Sequence, residues 1–220
     1  MGEHRHGALP FIETCTRFLI IHASLCITTK PQTAAVLFSS PQDKRRITAE
    51  EKKGRIKTMQ ITFQSLPASF AEFAALPQQD LTKPENTCAL FLCALNLFVQ
   101  DREEGVRAIN LLKGPVQLSN MDIQFLRDRF LDQTYLPRVF FEGATPQNNY
   151  TPFQPYRVDI LPDPRPQDMP EGYLRFYVKS AGADNPRAMK VRRKGDQWYI
   201  WEYFGVVMGV RVPAALDPWA

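Results

Sequence analysis

From Ser69 onward the apolar residues recur at helical spacing, and each stretch carries its own start and stop. Ser69-x-x-Glu72 has the form of a capping box, in which a side-chain oxygen accepts from the third amide while the acid returns the bond. Phe70, Phe73 and Leu76 follow on one face, so a short helix is predicted that stops before Pro77. Thr82-x-x-Glu85, with Pro84 in the first turn, opens a second helix that is apolar on nearly every side from Cys88 to Val99, broken only by Asn96. A helix without a polar face belongs at the centre of a domain. Asp101-x-x-Glu104 opens a third, with Val106, Ile109 and Leu112 on one face and Gly114-Pro115 as its stop. Ser119 caps a fourth, with Ile123, Leu126 and Phe130 inward and Asp122, Arg127, Asp128 and Arg129 largely outward.

After Tyr135 the pattern changes. Eight prolines fall between Pro137 and Pro170, and the stretch 143–152 (Gly-Ala-Thr-Pro-Gln-Asn-Asn-Tyr-Thr-Pro) has neither helical nor strand period. Beyond it alternation takes over: Val158 and Ile160, then Leu174, Phe176 and Val178, then Met189 and Val191, then 197–204 and 206–212. Lys194-Gly195-Asp196-Gln197 suits a hairpin turn, because glycine tolerates the positive φ that tight turns need. Helices first and antiparallel strands second predict an α+β domain, with N-terminal helices packed on one face of a C-terminal antiparallel sheet.

Residues 1–58 follow neither pattern. An apolar patch from Phe18 to Ile27 is broken by His22, and the charged runs 43–46 and 50–53 come after it. The patch is too short for a membrane span, and Glu13 and Arg17 before it, with no Ala-x-Ala after it, make a poor export signal. A flexible basic arm would fit the charge. Translated upstream DNA fits better, since the codons of Lys53-Gly54-Arg55 can spell a ribosome-binding sequence three codons ahead of Met59. The expected organisation is a non-domain extension over 1–58 and one α+β domain over 59–220.

Charge supports that division. Residues 1–58 hold 10 Lys+Arg against 5 Asp+Glu, which leaves 17 against 18 for the domain, so the net charge of +4 belongs to the extension. A nearly neutral domain has no long-range field to steer it toward phosphate polymers, and nucleic acid is not an expected partner. All three histidines, His4, His6 and His22, also lie in the extension, which takes the commonest general base and metal ligand away from the domain. Cys88 and Cys93, its only thiols, are five apart on a helix and point about 140° apart, so they can neither chelate one ion nor pair with each other. The expectation is a cytoplasmic protein with free buried thiols, no metal and no cofactor.

Several stretches together, 125–130 (Phe-Leu-Arg-Asp-Arg-Phe), 143–152, 180–186 (Ser-Ala-Gly-Ala-Asp-Asn-Pro) and 194–203 (Lys-Gly-Asp-Gln-Trp-Tyr-Ile-Trp-Glu-Tyr), resemble a family of bacterial proteins known as a domain of unknown function. The resemblance runs from about Phe63 to Trp219 and implies no activity, cofactor or catalytic residue. The terminal hairpin, with its Gly-Asp-x-Trp turn and aromatic strand, is also similar to the end of nuclear-transport-factor-2-like cone folds.

Two functional readings remain open. In the first the domain is a non-catalytic binding or interaction module for a protein or small-molecule ligand. Its recognition surface would be the Pro/Asn-rich loop, with Asn148, Asn149 and Tyr150, plus the aromatic strand bearing Trp201. In the second it is a small-molecule enzyme using carboxylate or Tyr acid-base chemistry in a pocket between helices and sheet. Glu142, Asp159, Asp184 and Glu202 are the available acids, Glu202 being the most suggestive because an apolar setting between Trp201 and Tyr203 would raise its pKa. Arg175 and Lys179, then Lys190, Arg192 and Lys194, share strand parity with aromatic residues interleaved, as on a single-stranded nucleic-acid platform or on the wet face of a one-sided sheet. The near-zero charge of the domain favours the wet face. Removal of residues 1–58 is expected to leave the melting temperature within about a degree of the full chain. A fall of about 10 °C in a thermal melt would show that the extension packs on the domain.

Overall fold

The structure, a computed structural model, describes residues 57–219. The readings of the N-terminal extension, its apolar patch and its histidines fall outside the described residues, apart from Lys57 and Thr58 at its end. The described residues open with strand β1 (Met59–Phe63), then run through helices α1 (Phe70–Ala74), α2 (Pro84–Gln100), α3 (Arg102–Lys113) and α4 (Asn120–Phe130). Strands β2 (Tyr156–Pro162), β3 (Tyr173–Val178), β4 (Arg187–Lys194) and β5 (Gln197–Glu202) follow, with short 3-10 turns between them. The five strands form one antiparallel sheet in the order of the chain, and α2 packs against every one of them. This is an α+β domain. Among the described residues no helix is long and apolar enough to cross a membrane.

Helix α2 is the core. Every residue from Asn86 to Phe98 is buried, and Phe91, Leu92, Leu95 and Leu97 have no solvent exposure. Each such side chain contributes about 1.5–3 kcal/mol on transfer from water. The two polar residues at its start are satisfied: Thr87 Oγ1 donates to the Trp198 carbonyl at 3.1 Å and Asn86 Nδ2 to the Asp80 carbonyl at 3.4 Å. The Thr87 bond ties the helix to the first turn of β5. Inward residues of the sheet, Val158, Ile160, Phe176, Val178, Met189, Val191 and Ile200, complete the same core.

The helix boundaries follow the caps with one exception. Ser69, Asp101 and Ser119 each accept from amides of the first turn, and Ser119 and Asp122 form the full reciprocal box. The cap of α2 is Lys83 rather than Thr82, whose side chain bonds Asp80 instead; Pro84 at the first helical position needs no donor acceptor pair there. Two strand expectations also shift. Residues 206–212 form a 3-10 turn and irregular chain, because Val206 and Val207 both turn into the core, which no alternating strand allows. At the other end Met59, Ile61 and Phe63 form an edge strand that pairs with β2, their alternation being a two-period signal too short to stand out.

Helices α2 and α3 meet at Gly105. A methyl group there would lie 2.1 Å from the Phe98 Cα, inside van der Waals contact with backbone that cannot swing aside. Glycine in mid-helix is worth about 1 kcal/mol less than alanine for the helix alone. The close crossing is therefore the stronger demand, and Gly105→Ala is expected to lose about 2–3 kcal/mol in a denaturant titration. A gain in stability would mean that the helices can separate freely.

Candidate functional site

The sheet's outer face and the end of α3 enclose a cleft of about 340 Å³. One wall is the segment after the helix, Lys113, Pro115 and Val116, and the other comes from β4 and β5. Its position depends on Gly114, which stops α3 at φ 62° and ψ −123°, a backbone open to glycine alone. The Tyr199 ring lies against that glycine, where a Cβ would be 2.5 Å away.

Strand β5 supplies the aromatic wall through an irregularity. Lys190 pairs with Glu202 and Val191 with Ile200, so Trp201 is an extra residue with no partner on β4. The bulge lets both Trp201 and Glu202 face outward after the buried Ile200. Trp201 packs edge-on against Tyr173 at 5.9 Å between centroids. The Arg192 guanidinium lies over both rings, 4.8 Å from Trp201 and 5.3 Å from Tyr173.

The charges in the cleft are of one sign. Lys113, Arg192, Arg193 and Lys194 line it, with no acid among the lining residues. None of the four is in a salt bridge among the described residues. Lys113 is half-buried with its Nζ 5.4 Å from the Tyr203 ring, and burial holds its pKa below that of a free lysine, against the opposing pull of Asp122. Tyr203 itself is buried, its hydroxyl has no hydrogen-bond partner, and burial pushes its pKa up.

The candidate carboxylates are in the opposite condition. Glu142 pairs with Arg157 at 3.4 Å, Asp159 with Lys179 at 2.8 Å, Glu202 with Lys190 at 2.8 Å, and Asp184 with Arg211. The apolar setting expected for Glu202 is absent, because the bulge turns it outward beside a lysine. Glu142 and Asp159 share a shallow cleft of about 300 Å³ with their two cations, whereas Asp184 lies in another, between residues 182–187 and 209–211. The Cys88 and Cys93 thiols are buried in α2, and burial pushes both pKa values up, so neither is a ready thiolate. Among the described residues no group of three or more His, Cys, Asp or Glu is arranged to hold a metal.

The Pro/Asn-rich loop is held by its own amides. Asn148 Oδ1 accepts from the Thr145 and Thr151 N–H groups at 2.8 and 3.1 Å, while its Nδ2 donates to the Gly143 and Thr151 carbonyls at 2.8 and 3.0 Å. All its bonding capacity stays inside the loop. Asn149 and Tyr150 both take positive φ, 53° and 52°, which for a bulky residue costs about 1–2 kcal/mol. Burial offsets that cost: Tyr150 stacks on Tyr135 with centroids 5.4 Å apart and donates its hydroxyl to the Arg211 carbonyl at 2.8 Å. Asn149 is exposed. The cleft at Trp201 takes in none of Asn148, Asn149, Tyr150, Asp184 or Glu202.

Periodicity puts Arg192, Lys194, Tyr199 and Trp201 on one face, but Lys113 and Val116 come from a helix end far off in sequence, and nothing local signals their arrival. The family described as Domain of unknown function (DUF6935) matches residues 65–214. The chain belongs to that family. The DUF6935 match takes in the whole cleft and the Asn148 loop, so both are parts of the family domain rather than additions to it. No curated protein and no solved structure matches the chain.

The two asparagines are expected to separate on mutation. Asn148→Ala removes four bonds and leaves loop amides unpaired, a loss of about 2 kcal/mol or more in chemical denaturation. Asn149→Gly suits its left-handed backbone and should fall within about 0.5 kcal/mol of wild type. Equal, negligible effects would show that Asn148 is not what holds the loop.

Proposed function

We propose that this DUF6935 domain is a non-catalytic binding module and that its recognition surface is the aromatic strand β5 with the cleft beside it. One observation carries the reading: the candidate acids each have a cation of their own, while the four cations of the cleft make no salt bridge among the described residues and no acid lines it. Acid-base catalysis needs a carboxylate or phenol poised toward a substrate, with its pKa tuned by its setting. A surface ion pair is worth about 0–1 kcal/mol, and here it engages each candidate carboxylate with a neighbouring side chain rather than leaving it free toward a cleft. Cations gathered against aromatic rings gain only about 0.5–1 kcal/mol each from such contacts at exposed sites, and ligand sites are where such groups converge. Asn149, exposed at the tip of a loop stiffened by Pro146 and Pro152, is a second contact candidate on a separate surface.

A fragment screen read by amide chemical shifts tests this reading. Ligands of any charge should move the amides of 113–116 and 192–201, should be recovered unchanged after incubation, and should be lost on Trp201→Ala in a protein whose melting temperature is unaltered. Hits gathered instead on the cleft at Asp184, or at Glu142 and Asp159, would overturn it, as would chemical conversion of a bound fragment.

A further inference from the structure

The cleft also specifies what kind of molecule fits it. Its volume of about 340 Å³ is at the small end for organic ligands and suits a small molecule. Its apolar lining is Pro115, Val116 and Ile200, with the Tyr199 and Trp201 side chains beside them. A bare inorganic anion would leave those surfaces wet and gain nothing from them. A neutral apolar molecule would cover them and leave four cations with no counter-charge.

Arg192 sets the geometry of the charged end. Its guanidinium carbon lies over two rings, at 4.8 and 5.3 Å, and its planar N–H donors make no hydrogen bond or salt bridge among the described residues. Planar donors held this way suit the two oxygens of a carboxylate or phosphate, which a fork can bind in bidentate fashion. Lys113, opposite Arg192 across the cleft and only half-buried, adds a point charge that the fold does not neutralise with a salt bridge.

From the juxtaposition of Arg192, set over two aromatic rings and free of salt bridges, with Lys113 in one cleft lined by Pro115, Val116, Ile200, Tyr199 and Trp201, we infer that the cleft binds a small aromatic anion, a flat ring system bearing a carboxylate or phosphate. This rests on the binding reading above and gives it a ligand class. A polymer of phosphates is the poorer occupant. Tracking a nucleic-acid backbone takes a line of cations, whereas Lys190 and Lys179, the next along the sheet, are already paired with Glu202 and Asp159.

Calorimetric titration of the full chain with four probes tests the inference: 2-naphthoate, 2-naphthyl phosphate, the neutral isostere 2-naphthamide, and inorganic phosphate. At least one of the two aromatic anions should bind about tenfold or more tightly than both the amide and inorganic phosphate. Whichever of the two is tighter identifies the head group, and either result supports the class. Arg192→Gln should remove about tenfold of the anion's affinity while leaving 2-naphthamide unaffected. Should that variant fold poorly, Val116→Asp, at an exposed position, places a negative charge in the cleft and should abolish anion binding. Binding of the tighter anion should also weaken at alkaline pH, beginning below the pH at which a free lysine discharges, because burial lowers the pKa of Lys113, and Lys113→Met should flatten that dependence. Equal affinity for 2-naphthoate, 2-naphthyl phosphate and 2-naphthamide would overturn the inference while leaving a binding cleft in place. So would Arg192→Gln and Val116→Asp both binding like wild type, or inorganic phosphate binding as tightly as the aromatic anions.

Discussion

The burial of α2 is the constraint on which the rest of the domain depends. A helix with no polar face can be stable only if something covers it all round, and here the five strands cover one side and α3, crossing at Gly105, another. Because the sheet is a meander in chain order, no crossover is needed to complete it. The helix then fixes the register of its surroundings through a few polar contacts. Thr87 holds the start of β5 through the Trp198 carbonyl, and the Trp198 N–H donates in turn to the Leu81 carbonyl at 2.8 Å, just before the helix begins.

That packing determines where the cleft can be. Asp101 caps α3 directly where α2 ends, so the second helix doubles back on the first with almost no connecting chain. Its direction is set by the Gly105 contact and its length by the Gly114 stop. Lys113 is thus delivered to the side of β5 by the same geometry that builds the core. Tyr199, packed on Gly114, forms part of both the cleft wall and the helix-to-sheet joint. A substitution that moved α3 outward would widen the cleft as well as loosen the core, so the two properties are mechanically linked.

Most of the fold is legible in the sequence because its signals are local. Ser119 with Asp122, Asp101 ahead of α3, and Gly195 in the β4 to β5 turn each act within four residues, and each is realised as cap or turn in the structure. Thr82 misleads because Asp80, two residues earlier, competes for its hydroxyl. Residues 206–212 alternate only in composition, since the chain must turn back into the core after the bulge. The candidate site is legible by half. Strand parity gathers Arg192, Tyr199 and Trp201, but the same parity describes any wet sheet face, and what separates a site from a face is tertiary: the bulge at Trp201 and the arrival of Lys113.

Charge illustrates the same limit from another direction. A domain with 17 basic and 18 acidic residues has almost no monopole, and that bears on long-range attraction to a polyelectrolyte. It says little about a small anion, which is selected at contact distance, where screening has little room to act and the local count decides. The pairing pattern makes the local count uneven. Surface acids at Glu142, Asp159, Asp184 and Glu202 are each used by a neighbouring cation, so the cancellation that makes the domain neutral happens elsewhere on its surface. Lys113, Arg192, Arg193 and Lys194 gather at a cleft whose lining is also apolar and aromatic and holds no acid. A neutral sum and a cationic site are therefore compatible, because the acids that balance the total, Glu142, Asp159, Asp184 and Glu202 among them, lie outside the cleft lining.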